Sequence, residues 1–224
     1  MVSLTIRRVH DIILTGVVVI EDFFRLSADV LMHYPRQYIT SPLMPTILSA
    51  ASTSLTLLKE EPIFATLHFL RDFLAYGTPD LPTSQFTDNP SHDTKNPVEI
   101  QEAVKHLVDS QGEVLTQRVM TGMMYTFPAD CFPDASGVLL AMFQLLPPTM
   151  ARWVGSTVNL LPPGSISQQE QERMIRNIDQ RIQSGEIRKI RSLLQDFTNS
   201  YRRRNVAPRE GLGRLEATRF KFTG

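Results

Sequence analysis

Arg71 and His68 are the residues whose types and spacing most suggest a binding function. They lie three positions apart in HFLRDFLAYG, so a helix places them on nearly one face, away from the apolar stripe of the same helix. One interpretation is a solvated arginine tied to Asp72 or to a neighbouring helix. The other is a cationic surface, because a guanidinium suits bidentate binding of carboxylate or phosphate. The spacing leaves both interpretations open.

Catalytic patterns are missing from the sequence. It contains no phosphate-binding glycine loop, no HExxH and no GxSxG, and its five histidines lack metal-ligand spacing. Cys131 is the one cysteine, which excludes a disulfide framework, and we interpret it as a packed thiol because no basic residue adjoins it. We therefore predict no enzyme activity, no cofactor and no metal site.

The charge of the 224-residue chain is zero overall but unevenly distributed. Residues 201–224 hold seven basic and two acidic residues, a net charge of +5, which leaves −5 on the remainder. A nucleic-acid platform would need its basic groups on a folded face, so we predict no direct nucleic-acid binding. The longest early apolar stretch, Ile12–Ile20, is too short to span a bilayer, and no secretory signal is recognisable, so no membrane role is predicted.

Amphipathic helices dominate the pattern of apolar residues, and prolines separate many of them. The periodicity predicts about nine helices, at 18–34, 38–57, 60–76, 98–109, 113–127, 134–146, 149–161, 167–183 and 186–203. Gly112 stands either at the turn of a hairpin between the fourth and fifth or at a weak point within one long helix. Paired as hairpins, the later helices recur about every 37 residues, which is typical of HEAT-like repeats. The predicted fold is an all-α, α-α superhelix.

Three segments fall outside this repeat pattern. Residues 1–17 break any apolar stripe and are predicted to be a poorly ordered leader. Residues 78–97 contain four prolines and are predicted to form a surface loop, and 204–224 a flexible, disordered basic tail. The helix at 18–34 then has no earlier partner, so we expect it to expose apolar surface and to favour self-association.

Four segments resemble one known family in order and spacing. They are VIEDFFRLSADVLMHYP, HFLRDFLAYG, FPADCFPDASGVLLAMFQLLPPTMARWVGSTVNLLP and LLQDFTNSYRRR, and the resemblance covers roughly residues 18–203. They are similar to the C-terminal part of the transportin-SR family, which includes the fungal mRNA transport regulators. These proteins are nuclear import receptors of the importin-β superfamily.

The resemblance implies a function in nuclear transport. Family members shuttle between nucleus and cytoplasm, carrying RNA-binding proteins whose serine/arginine-rich segments are phosphorylated, and they release them on binding Ran-GTP. It implies that Arg71 lies at a cargo-binding arginine position and that His68 replaces another arginine. The main Ran-binding repeats of the family have no counterpart here, so we expect a truncated product without Ran binding. The alternative is a helical-repeat interaction scaffold with no transport activity.

Overall fold

The computed structural model describes residues 2–80 and 95–206, with side chains from residue 16 onward except that of Val17. Its α-helices are α1 Val2–His33, α2 Pro35–Ile39, α3 Met44–Ser54, α4 Glu60–Ala75, α5 Val98–Thr121, α6 Phe132–Leu145, α7 Pro147–Asn159, α8 Gln168–Gln183 and α9 Ile187–Asn205. A π-helical turn, Gly122–Thr126, and a 3-10 turn, Ala129–Cys131, join α5 to α6. Within these ranges there is no strand, and the all-α prediction is confirmed.

The helices form two layers around a continuous core. In one layer α1 packs against α4, α4 against α6, and α6 against α9; in the other, α2 and α3 pack against α5, α5 against α7, and α7 against α8. Contacts of α3 with α4, α6 with α7, and α8 with α9 join the layers as predicted hairpins. Each helix covers the apolar face of its neighbours, which is the packing of a helical-repeat protein.

The first helix differs from its prediction in length and in its buried face. It runs unbroken from Val2, whereas the sequence predicted a start at residue 18. Phe24 and Leu31 are buried against α4, while Phe23 and Leu26 are exposed. The helix is apolar on two adjacent faces, so periodicity alone could not determine which of them α4 covers.

The helix predicted at 38–57 is divided into α2 and α3. Pro42 and Pro45 cause the division, because each lacks an amide hydrogen and disfavours helical geometry in the residue before it. Pro45 instead occupies the first turn of α3, where its missing donor is tolerated.

Of the two alternatives for residues 98–127, the hairpin is wrong and the single long helix is confirmed. These residues form one helix, α5, because Gly112 is a packing position and not a turn. A Cβ atom at Gly112 would lie 2.4 Å from the Trp153 ring, so only glycine lets α7 approach this closely. Gly185, by contrast, is a true turn glycine, with φ of 73° between α8 and α9.

Two terminal or loop predictions fall partly outside the described residues. Residues 81–94 of the predicted loop and 207–224 of the predicted tail lie there. At the loop's ends, the Asn96 side chain donates to the carbonyls of Ala75, Thr78 and Asp80 at 3.2, 2.8 and 2.9 Å. Arg204 belongs to α9 and not to the tail. Within the described ranges, no helix is both long and apolar enough to cross a membrane.

Cys131 is buried at the start of α6, as its interpretation as a packed thiol requires. Burial, reinforced by the nearby carboxylates of Glu60, Asp134 and Asp130, raises the pKa of its thiol to about 12. We expect iodoacetamide at pH 8 to leave the native chain unmodified, because the thiolate is the reactive form, and to alkylate it in urea. Mass spectrometry reads out both reactions, and rapid modification of the folded chain would contradict this burial.

Candidate functional site

Helix α4 positions the two predicted binding residues. Glu60 and Glu61 occupy its first turn, where the helix dipole stabilises negative charge. Its apolar stripe is buried, including Leu67, Leu70 and Phe73. This packing holds α4 between α1 and α6, and it leaves the opposite face of α4 at the surface.

His68 and Arg71 converge on one carboxylate. The Arg71 Nη1 donates to Asp134 Oδ1 at 2.7 Å, and His68 Nε2 lies 3.0 Å from Asp134 Oδ2. Asp134 belongs to the first turn of α6, so this cluster joins two neighbouring helices of one layer. The structure thus brings both predicted residues together, as their spacing indicates.

Exposure leaves this cluster open to a ligand. The side chains of Arg71 and His68 are 49% and 51% exposed, whereas Asp134 is 14% exposed. An ion pair exposed to this degree is worth about 1 kcal/mol or less, since water screens it. Arg71 is therefore tied to a neighbouring helix and still presents part of its guanidinium to solvent. Binding of an anion by these residues stays a prediction.

Asp134 is the residue that sequence reasoning missed. It lies 63 positions from Arg71 along the chain, so no local spacing connects them. An acidic residue in a first helical turn is stabilised by the helix dipole, so its position alone does not indicate a contact with another helix. Only the packing of α4 against α6 reveals the contact.

Asp72 lies beside this cluster and is partly removed from water. Its Oδ1 is 3.8 Å from Arg71 Nε, an ion-pair distance too long for a hydrogen bond. Burial raises the pKa of Asp72 above 3.8, and the positive charge of Arg71 opposes that rise. Ionisation of Asp72 is therefore less favourable in the folded chain than in the unfolded chain.

This burial predicts a pH-dependent effect of Asp72→Asn. A raised pKa means that the folded chain binds more protons than the unfolded chain above pH 3.8, so Asp72 costs stability as pH rises through that window. We expect the variant to have the larger free energy of unfolding at pH 7 and to lose this advantage towards pH 3.8. Urea titrations across pH measure it, with exposed Asp196→Asn as control. A difference independent of pH would contradict the assignment.

A groove of about 620 Å³ lies between α1 and α4 and includes Arg71 and His68. Its ionisable side chains are Arg25, Asp29, Glu60, Glu61, His68, Arg71 and Asp72. Arg25 is held by Glu21 at 2.6 Å, so carboxylates already neutralise much of the basic charge. A ligand here would meet Arg71 and His68 beside an acidic wall, and would fit best if it carried both signs of charge.

A second groove, of about 860 Å³, lies between α8 and α9. Its lining includes Arg173, Arg202, Arg203 and Arg204. The last three form the arginine-rich end of α9, which is visible in the sequence, whereas Arg173 comes from α8. The Arg202 Nη1 donates to the Phe127 carbonyl at 2.7 Å, and Arg204 pairs with Glu170 at 2.9 Å. These two arginines have structural partners, so their exposed charge is reduced.

Two of the known proteins to which the chain is similar overlap it to a similar extent. An uncharacterised protein of Schizosaccharomyces pombe is 32% identical over 198 residues, covering 87% of this chain and 20% of that protein. The mRNA transport regulator MTR10 of Saccharomyces cerevisiae is 23% identical over 199 residues, covering 84% of this chain and 20% of that protein. No protein-family model matches the sequence. The chain thus spans about a fifth of the length of these curated relatives and is distantly similar to an mRNA transport regulator.

Proposed function

We propose that the chain is the cargo-binding C-terminal part of a nuclear import receptor. Its cargo would be RNA-binding proteins with serine/arginine-rich segments, and it would act in both nucleus and cytoplasm. The function is binding and not catalysis. The observation that carries the proposal is the similarity to the mRNA transport regulator across 84% of this chain.

The geometry of α4 supports this proposal. A phosphorylated serine/arginine-rich segment alternates phosphate and guanidinium groups. The groove between α1 and α4 offers partners for both: Arg71 and His68 for phosphate, and Glu60, Glu61 and Asp29 for arginine. Arginine binds phosphate through charge-assisted hydrogen bonds, so a half-exposed guanidinium on a rigid helix is a suitable anchor.

Replacement of Arg71 tests the proposal. We expect Arg71→Ala to weaken binding of a phosphorylated serine/arginine-rich peptide about tenfold, because one charge-assisted contact with phosphate is lost. Fluorescence anisotropy with a labelled peptide measures the affinity. The matched control is Arg176→Ala, which removes another exposed helical arginine, 65% exposed and paired with Glu172 at 3.4 Å.

The outcomes separate this proposal from the alternative scaffold without transport activity. Weakening by Arg71→Ala and not by Arg176→Ala favours the receptor. Equal affinity of both variants and the wild type would remove Arg71 from the binding site. No measurable binding by the wild type would favour the scaffold.

A further inference from the structure

An apolar stripe runs along α1 and is exposed among the residues that the structure describes. Val19, Phe23 and Leu26 are 60%, 40% and 61% exposed, and the half-buried Val30 continues the same spacing. These positions cover about three helical turns. Isolated exposed apolar residues are common, but a continuous stripe on one helix indicates an interaction surface.

The edges of the stripe are chemically different. On one side α2 approaches, where the Tyr38 hydroxyl donates to the Ser27 hydroxyl at 3.0 Å. On the other side lie Asp22 and Asp29, seven residues apart and therefore on one helix face, both exposed. Neither carboxylate forms an ion pair with any side chain that the structure describes. The free edge of the stripe is therefore acidic.

This acidic edge argues against a second copy of the chain as the occupant. When two identical helices pack antiparallel about a two-fold axis, each edge of one meets the same edge of the other. Asp22 and Asp29 of one copy would then face their own counterparts, and like charges in contact are unfavourable. Self-association, which the sequence suggested for an uncovered first helix, is thus disfavoured in this arrangement.

We propose that the α1 stripe docks an amphipathic helix of a partner protein that carries lysine or arginine beside its apolar face. Apolar residues of the partner at helical spacing would pack on Phe23 and Leu26, and its basic residues would pair with Asp22 and Asp29. This is the mode of recognition in which an amphipathic helix lays its apolar face on an apolar surface of the partner. The inference does not depend on the proposed transport function, since the apolar stripe lies outside the groove between α1 and α4, and only Asp29 borders both surfaces.

Two synthetic helical peptides test the inference on the full chain. Both carry leucine at helical spacing; one has lysine and the other glutamate at the flanking positions. We expect the lysine peptide to bind about five- to tenfold more tightly by anisotropy, because two exposed ion pairs each contribute modestly. Leu26→Glu should abolish binding, whereas Val114→Glu, which replaces a 50% exposed residue on α5, should not.

A charge reversal makes the test independent of folding defects. The double variant Asp22→Lys, Asp29→Lys should prefer the glutamate peptide. The inference is overturned if neither peptide binds, if both bind equally to the wild type, or if the double variant keeps the wild-type preference. Sedimentation velocity measures the oligomeric state of the chain. A dimer that Leu26→Glu dissociates would show that a second copy of the chain occupies the stripe, and this result would also overturn the inference.

Discussion

Phe69→Ala is expected to lower the free energy of unfolding by about 3–5 kcal/mol, the usual cost of removing a buried aromatic ring. Phe69 is fully buried on α4, with its ring 5.5 Å from that of Phe24 on α1 and 6.2 Å from that of Phe73. The substitution leaves a cavity where α1 meets α4. Because small domains are stable by only about 5–15 kcal/mol, a loss of this size removes much of the total.

Urea denaturation followed by circular dichroism measures this effect. The control is Leu58→Ala, because Leu58 is 80% exposed between α3 and α4 and its truncation should change stability by less than about 0.5 kcal/mol. Phe69 also lies beside His68, so the variant should weaken peptide binding by disturbing α4. A loss for Phe69→Ala no larger than that for Leu58→Ala would show that α1 does not pack on α4 as described.

Gly112→Ala is expected to destabilise the chain by about 1–3 kcal/mol, although alanine is the better helix former. The new Cβ would lie 2.4 and 2.6 Å from two ring carbons of Trp153, well inside contact distance. Trp153 is itself buried, so its ring cannot move aside without disturbing the packing of α7 on α5.

The sign of the change in unfolding free energy distinguishes a tightly packed glycine from one at an open helical site. At an open helical site the same substitution stabilises by about 0.5–1 kcal/mol. Gly16→Ala provides that control, since Gly16 lies within α1 and a Cβ atom added there would meet no other atom within 4 Å. Stabilisation by both substitutions in urea titrations would contradict the close approach of α5 and α7.

The elements that sequence reasoning located best are those bounded by proline and glycine. Pro147 begins α7, Gly185 separates α8 from α9, and a capping box of Ser167 and Glu170 begins α8. These signals act on the backbone within a few residues, so they need no knowledge of the fold. The helical-repeat architecture followed from them.

The misjudged features depend on contacts between residues distant in sequence. A glycine such as Gly112 is common in turns, so the sequence around it allowed a turn there. The contact with Trp153, 41 positions later in the chain, shows that it is a packing site instead. The choice of buried face on α1 depends on α4. The candidate site was likewise predicted only in part. Local spacing placed His68 and Arg71 on one helix face, but Asp134, which contacts both, lies on another helix.

The proposed function, cargo binding by this chain without binding of Ran-GTP, is tested most directly by one pair of titrations. Purified chain is titrated in parallel with a phosphorylated serine/arginine-rich peptide and with Ran-GTP. We predict saturable binding of the peptide, weakened by Arg71→Ala, and no binding of Ran-GTP. Absence of peptide binding would contradict the cargo-binding function, and saturable Ran-GTP binding would contradict the assignment of this chain to the cargo-binding part alone.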